Sequence, residues 1–510
     1  MSLLSVTPTE GIKITEDDLS AIAEKFGYEF KGDEKVEYTT LLAATCNAMQ
    51  VVSEMEDYQP EPDFGLTPRE NIYFPKKEDN PDNIWAHRFD LSHKSPSSDL
   101  LKGKTFCIKD NICVAGVPCL IGTEVMSGWI PKTDATIVTR ILEAGGLIKG
   151  KAVCENLSTS AASFTAATGA IDNPYAKGYS AGGSSSGTAN LVAKGEVDLG
   201  IGADQGGSIR IPASLCGIVG FKATAGLIPY TGIVNNEATI DYVGPMTRTC
   251  LENAILLEAI AGVDGLDDRQ RAGTPFRDQV PKYSSILLET KDSGIRGLQI
   301  GVLKEGLSSK IMDPGVENKF RAAVAVLKNL GTIVKEISIP MHEIAPIIFA
   351  AASKQDEDLH TRREKLDVPQ RSPISKNATF AGEFCWQKFP HVYAKSINLC
   401  CKLTEIYDKV LKEYDVLIMP STITPSDPLP LPTDSIVTKM SKTIGKLENT
   451  CPFNATGHPA LAILIGFVPA KGDKNIRVPA SIQIVGRHFD EITCLKVGFA
   501  WENAKSWKEF

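Results

Sequence analysis

From Gly103 onward the chain alternates short runs rich in β-branched residues with segments whose apolar residues recur at helical spacing. Such alternation is typical of a sheet whose strands are connected and covered by helices. We therefore predict an α/β fold with a mixed, twisted sheet and helices on both of its faces. The predicted strands are 104–114, which includes a turn, 147–153, 197–201, 297–303, 332–337 and 415–420. The predicted helices are one that Asp134 caps and that ends at Gly145, and those at 188–194, 316–330 and 394–414.

The first 60 residues have a different, purely helical pattern. The segment from Thr15 to Asp18 resembles a capping box with Asp in place of the usual Glu or Gln, and Gly27 fits the end of that helix. A second helical pattern covers 36–55, and its apolar stripe either covers a core or forms a homodimer interface. The predicted boundaries are 1–60 for a helical domain, 61–100 for a polar, proline-containing linker or strap, and 101–510 for an α/β domain.

Charge and hydropathy exclude several classes of protein. The 54 basic and 62 acidic residues give a net charge of −8, which argues against a dedicated nucleic-acid binder. No apolar run reaches the ~18 residues of a membrane span, and the opening residues, MSLLSVTPTEGIK, lack a signal-peptide pattern. We therefore expect a cytoplasmic protein that is not bound to a membrane. The densely charged segment 356–371 is predicted to be solvated.

Two segments nearly match nucleotide-binding motifs, but each lacks a feature that its motif requires. The segment 145–152 resembles a nucleotide P-loop, but Ala152 replaces the Ser or Thr that holds magnesium, and a helix rather than a strand precedes it. The segment 200–206 resembles a dinucleotide fingerprint, but Pro212 interrupts the helix that should follow. The sequence therefore predicts no nucleotide cofactor.

The twelve cysteines are scattered along the chain, which predicts reduced and mostly buried thiols. Cys107, Cys113 and Cys119 are evenly spaced, but no histidine lies near them in the sequence to complete a zinc site. We therefore predict that the protein holds no metal ion.

Two segments rich in glycine and serine, 180–188 and 200–210, each lie between a predicted helix and a predicted strand. Glycine allows backbone N–H groups to approach a ligand closely, and successive N–H groups form a concavity that binds an anion. A phosphate group and the oxyanion of an acyl-transfer reaction both need such a concavity. The segments are thus candidates for a binding or catalytic site.

A serine nucleophile requires a base, and the positions of the histidines indicate which residue type could serve as that base. None of the seven histidines lies between residues 94 and 341, the part of the chain that holds both glycine-serine segments. This distribution favours a lysine as the base of a serine hydrolase. Lys109 is the candidate because it ends an apolar strand, where burial would lower its pKa. His458, in the segment PFNATGHPA, is the alternative base.

Three motifs, GGSSSGTA, DQGGSIRIPA and IKDN, resemble those of the amidase signature hydrolases. The resemblance continues through FKATAGLIPYTGI, IDYVGPMTRT, YDVLIMPS and PFNATGHPA to GRHFDE, and so covers most of the chain. It implies the amidase signature fold for 101–510. It also implies that Lys109 is the base, that Ser184 follows a cis peptide and relays protons, and that Ser208 is the nucleophile.

The resemblance further implies that backbone N–H groups bind the reaction oxyanion. The implied donors are Gln205, Gly206, Gly207 and Ser208. Ser186 departs from the family pattern, which has glycine at this position.

The helical N-terminus, DQGGSIR and RHFDE most resemble the branch of broad-specificity amide hydrolases, which includes members that hydrolyse urethanes. This implies a cofactor-free hydrolase of small neutral amides that forms an acyl-enzyme, with carbamate esters such as ethyl carbamate as further substrates. Three alternatives remain open. They are a component of an amidotransferase that works on charged tRNA, a nitrile hydrolase that uses Cys154, and a non-catalytic binding protein.

Overall fold

The structure is a computed structural model that describes residues 13–126, 128–290, 294–361, 371–443 and 445–510, with the side chains of 354–361 left out. The first twelve residues, on which the signal-peptide prediction depends, and most of the predicted charged segment 356–371 lie outside this description. The chain divides into two compact units between Pro60 and Glu61. Each unit is described separately below.

The first unit contains helices α1 (Glu16–Phe26) and α2 (Glu34–Glu54). At the start of α1 the Thr15 hydroxyl accepts a hydrogen bond from the Asp18 amide, and the Asp18 carboxylate accepts one from the Thr15 amide at 2.8 Å. The helix ends at Gly27, whose φ of 65° lies in the left-handed region that glycine tolerates. The capping box and the helix end predicted from the sequence are confirmed.

The second unit contains a mixed sheet of twelve strands and a separate pair formed by its fifth and sixth strands. In chain order the strands are β1 (Arg69–Tyr73), β2 (Trp85–Leu91), β3 (Thr105–Lys109), β4 (Leu147–Ala152), β5 (Asp172–Asn173), β6 (Ala176–Ser180), β7 (Leu199–Asp204), β8 (Val219–Lys222), β9 (Tyr242–Thr247), β10 (Gln299–Leu303), β11 (Ile333–Ile337), β12 (Val416–Pro420), β13 (Ala460–Ala470) and β14 (Asp473–Val485). The order in the large sheet is β1-β2-β4-β3-β7-β9-β8-β13-β14-β12-β10-β11.

Helices connect and cover these strands. They are α3 (Thr136–Glu143), α4 (Ser186–Lys194), α5 (Arg210–Cys216), α6 (Cys250–Ile260), α7 (Tyr283–Glu289), α8 (Pro314–Asn329), α9 (Met341–Thr361), α10 (Pro373–Lys388), α11 (Val392–Val410), α12 (Ile436–Ser441), α13 (Pro452–Thr456) and α14 (Glu491–Ala504). Within the described ranges, none of the helices combines the length and the apolar character that crossing a membrane requires.

Both faces of the sheet are covered, as the sequence predicted. Every residue of β7, β9 and β12 is buried, and successive side chains of a strand point to opposite faces. Parallel pairs, such as β3 with β7 and β10 with β12, occur beside antiparallel ones, such as β7 with β9. The prediction of a mixed α/β sheet is confirmed.

The prediction of a strap over residues 61–100 is wrong, because this segment supplies two strands at one edge of the sheet. Strand β2 pairs in antiparallel fashion with both β1 and β4. Charged residues within β2 conceal its pattern, and one of them, Arg88, lies 4.5 Å from the ring of Trp85. Most residues of β2 are buried in the sheet, but apolar and polar residues do not alternate regularly along it, so its sequence does not indicate a strand.

The register of β3 and β7 positions the site. These two strands are adjacent and parallel, with Ile108 opposite Ile201. The carboxyl ends of adjacent parallel strands lie at the same edge of a sheet, which is where ligand sites form in α/β folds. Lys109, the last residue of β3, therefore lies beside the loop that follows Asp204 in β7.

Candidate active site

Lys109 is fully buried and contacts one of the implied serines. Its Nζ donates a hydrogen bond to Ser184 Oγ at 2.7 Å and a longer one to the carbonyl of Ala203 at 3.4 Å. Burial lowers the pKa of Lys109 to about 8. Within the described residues no carboxylate forms an ion pair with it, so a substantial fraction of the amine is neutral near pH 8.

Ser184 lies in the loop between β6 and α4, and the Gly183–Ser184 peptide is cis, as the resemblance implies. The Ser184 carbonyl accepts a hydrogen bond from the Glu155 amide at 3.1 Å. A Cβ at Gly183 would lie 2.0 Å from the carbonyl oxygen of Ala162, so only glycine fits here. This packing fixes the backbone that carries the hydroxyl next to Lys109.

Ser208 lies in the loop between β7 and α5, and it is held against the first glycine-serine segment. Its carbonyl accepts a hydrogen bond from the Ser185 amide at 3.3 Å, which joins the two segments. Its side chain is mostly buried. Among the described residues Ser208 Oγ forms no hydrogen bond, so the contact with Ser184 that a proton relay needs is not made in this geometry. Such contacts often tighten only when substrate is bound.

The implied oxyanion donors divide into two groups. The Gly207 amide donates to Asp204 Oδ1 at 2.7 Å and is therefore engaged in this structure, so its role as an oxyanion donor stays a prediction. The amides of Gln205, Gly206 and Ser208 donate to no protein group in the described part of the chain. Three backbone donors therefore remain available near the Ser208 hydroxyl.

The Ser208 loop is braced by a network that the sequence analysis missed. The carboxylate of Asp204, which is fully buried, accepts hydrogen bonds from the Gly207 and Ile209 amides and forms an ion pair with Arg210 at 2.9 Å. Burial raises the pKa of Asp204, but the charge of Arg210 and the hydrogen bonds from Arg210, Asn454 and Ile209 together lower it to about 2. Asn454, from α13, donates to the same carboxylate at 2.8 Å. The spacing of the charges in DQGGSIR was the only signal of this brace in the sequence.

Cys154 does not have the environment of a nucleophile. Burial raises the pKa of its thiol to about 12, so the thiol is protonated at neutral pH, whereas nucleophilic cysteines have a lowered pKa. The neighbouring Glu155 is also buried, which raises its pKa to about 7. Glu155 accepts hydrogen bonds from Thr165 Oγ1 at 2.6 Å and from Ser186 Oγ at 3.4 Å. Ser186, the departure from the family pattern, is thus bonded to a carboxylate rather than left facing the site.

His458 does not contact the serines. Its Nε2 lies 3.1 Å from Asp408 Oδ1, and its Nδ1 lies 2.9 Å from Thr456 Oγ1. Because both ring nitrogens are engaged elsewhere, His458 contacts neither Ser184 nor Ser208. The structure therefore gives no support to His458 as the base.

Two features surround the Ser208 loop. A Cβ at Gly206 would lie 2.9 Å from Phe349 and 3.3 Å from Leu447, so apolar side chains line this part of the loop. A cavity of about 300 Å³ lies nearby, and its wall includes Tyr242, which pairs with Asp204 of β7. The cavity wall does not include Lys109, Ser184 or Ser208.

Comparison with known proteins shows which family this chain is similar to. A model of the family described as Amidase matches residues 82–495. The chain is 34% identical to an enantioselective amidase from Rhodococcus rhodochrous over 517 residues, which covers 96% of this chain and 95% of the relative. It is 32% identical to a glutamyl-tRNA(Gln) amidotransferase subunit from Exiguobacterium sibiricum, over 82% of this chain and 87% of that one.

A solved structure of a related protein has a similar fold. The corresponding glutamyl-tRNA(Gln) amidotransferase subunit from Thermotoga maritima superposes with a TM-score of 0.65 at 25% identity. The superposition covers 79% of this chain and 83% of that one.

Proposed function

This chain belongs to the amidase family, and from that premise we propose that it hydrolyses the C–N bond of small neutral amides through an acyl-enzyme on Ser208. The observation that carries the proposal is the 2.7 Å contact between Ser184 Oγ and the buried Lys109 Nζ, whose pKa is lowered to about 8. A buried lysine without a carboxylate partner is suited to act as a neutral base.

The proposed reaction uses the Lys109–Ser184 contact and requires Ser208 Oγ to come within hydrogen-bond distance of Ser184 Oγ. Neutral Lys109 accepts the Ser184 proton as Ser184 accepts the proton of Ser208, and Ser208 Oγ attacks the amide carbonyl carbon. The free amides of Gln205, Gly206 and Ser208 hold the oxyanion, and removal of one such donor typically costs about 10²–10³-fold in rate. Ammonia or an amine leaves with a proton returned through Ser184. Water then attacks the acyl-enzyme by the same relay and releases the acid.

The substrate class rests on the surroundings of the loop. Phe349 and Leu447 lie against Gly206, which favours an uncharged acyl group. A carbamate ester presents the same C(=O)–NH2 group with an alkoxy group in the acyl position, so we propose it as a further substrate. Its additional resonance makes the carbonyl less electrophilic, and its turnover is expected to be slower than that of a matched amide.

A second candidate function is that of an amidotransferase subunit, which the 32% identity to such a subunit favours. Alignment coverage distinguishes the two candidates. The alignment with the enantioselective amidase covers 96% of this chain and so includes most of residues 1–60, whereas the alignment with the amidotransferase subunit covers 82%. The longer match supports the amide-hydrolase candidate.

The test is an assay of the purified chain, without any partner, on a panel of primary amides, anilides and carbamates. We expect release of ammonia from neutral primary amides, slower turnover of ethyl carbamate, and no product with the Ser208→Ala variant. Failure of the pure chain to hydrolyse any amide would contradict the proposal. A strong preference for carboxylate-bearing acyl groups would contradict the assignment of the substrate class.

A further inference from the structure

Three metal-ligating side chains meet outside the active site. His458 Nε2 lies 3.1 Å from Asp408 Oδ1, and His488 Nδ1 lies 3.6 Å from the same oxygen. The two imidazole rings are stacked, with their centroids 4.1 Å apart. The three potential ligand atoms all lie within 4.8 Å of one another.

Thr456 contacts both rings. The His488 Nε2 lies 3.1 Å from the Thr456 carbonyl, which only accepts, so Nε2 carries the proton of the neutral ring. His458 Nε2 lies 3.1 Å from the Asp408 carboxylate, which only accepts, so without a metal Nε2 carries the proton and Nδ1 accepts from the Thr456 hydroxyl at 2.9 Å. Metal binding at Nε2 would displace that proton and shift it to Nδ1, where the Thr456 hydroxyl is able to accept it. Histidines that bind metals typically donate their other N–H group to an oxygen in this way.

The consequence for His488 is an electrostatic conflict. Its unprotonated Nδ1 directs a lone pair towards the Asp408 carboxylate, so two acceptors face each other at 3.6 Å. A cation between the two groups would resolve the conflict.

We propose that Asp408, His458 and His488 bind one divalent transition-metal ion. Two imidazoles and a carboxylate are the ligand set that Zn²⁺ accepts with three protein ligands and one open position. The Asp408 side chain is 46% exposed, which leaves room for entry of the ion and for a water ligand. The site is separate from Lys109, Ser184 and Ser208, and it does not depend on the proposed function.

The position of this site in the fold suggests what the ion does. His458 and His488 flank the paired ends of β13 and β14, where Ala460 lies opposite Val485. Asp408 belongs to α11. A bound ion would join α11 to two central strands, and we therefore expect a stabilising role.

The experiment measures Zn²⁺ binding to the whole purified chain by equilibrium dialysis and by thermal unfolding. Wild type is compared with His488→Ala and with the isosteric Asp408→Asn, because His458 is fully buried and its replacement is more disruptive. His391→Ala is the matched control, since His391 is exposed and precedes the same helix. Co²⁺ in place of Zn²⁺ reports the ligand type, because thiolate ligands add intense charge-transfer bands that imidazole and carboxylate do not.

The expected result is one tightly bound equivalent in wild type and in His391→Ala, with a metal-dependent rise in Tm. Both site variants should bind at least about 100-fold more weakly, since even the hydrogen-bond partners of metal ligands contribute about 10–100-fold. The proposal is overturned if wild type binds no Zn²⁺, if the site variants bind as tightly as wild type, or if the Co²⁺ spectrum shows thiolate bands.

Discussion

The chemistry of Lys109 depends on its burial, which the sequence indicated through its position at the end of an apolar strand. The structure places its Nζ 2.7 Å from Ser184 Oγ and lowers its pKa to about 8. Only the neutral amine can accept a proton, and its fraction increases as pH rises through this pKa. We therefore expect kcat/KM to rise with pH and to level off above about pH 8.

The variants of Lys109 test this pH dependence. Lys109→Ala should lose about 10²–10⁴-fold in kcat/KM together with the rising limb. Lys109→Arg should be equally inactive, because a guanidinium stays protonated. A Lys109→Ala profile that keeps the wild-type rise would show that another group is the base.

The two serines should behave as one unit. We expect Ser208→Ala to reduce kcat by more than about 10³-fold and Ser184→Ala to be nearly as severe, with the double variant little worse than either. Thermal unfolding of each variant should match wild type, since each change removes one hydroxyl. Losses that add up in the double variant would argue against a relay.

At the scale of single residues, the sequence motifs singled out Lys109, Ser184 and Ser208, and the structure places Ser184 in contact with Lys109. They did not reveal that the Gly207 amide donates to Asp204, because the direction of that amide depends on a φ of 135° and on a carboxylate folded back over the loop. Amide directions are set by local conformation, which motif spacing does not encode.

At the scale of elements, the helices and strands found from the sequence are those with local periodicity. Strands β13 and β14 form a long antiparallel pair near the centre of the sheet, and they were not identified as a hairpin. Their residues are largely apolar without a clean alternation, because central strands are covered on both faces. Their partners are defined by the completed sheet rather than by nearby sequence.

The brace of the Ser208 loop leads to a stability prediction. Asp204→Asn leaves the Arg210 guanidinium buried without its counter-charge, so we expect a loss of about 3–5 kcal/mol in the free energy of unfolding, with activity also lost. Urea denaturation measures the change. The control is Asp99→Asn, which removes an exposed ion pair with Lys102 and should cost less than about 1 kcal/mol. Equal effects of the two substitutions would contradict the role of the brace.

At the scale of the whole molecule, the proposed machinery lies within one of the two compact units. All of the implied site residues fall in Glu61–Phe510, and the family model matches 82–495. We expect a protein consisting of residues 61–510 to fold and to keep the pH dependence of the full chain. Circular dichroism and the amide assay measure these properties. A folded but inactive truncation would show that the N-terminal helices take part in catalysis.

The hydrogen bond between Asn454 and Asp204 joins residues 250 positions apart in the chain. During synthesis, the nucleophile loop leaves the ribosome long before the residue that braces it. A nascent chain that already displays Lys109, Ser184 and Ser208 therefore lacks an ordered active site until its last tenth or so is made. Prematurely terminated products are accordingly expected to lack amide-hydrolysing activity.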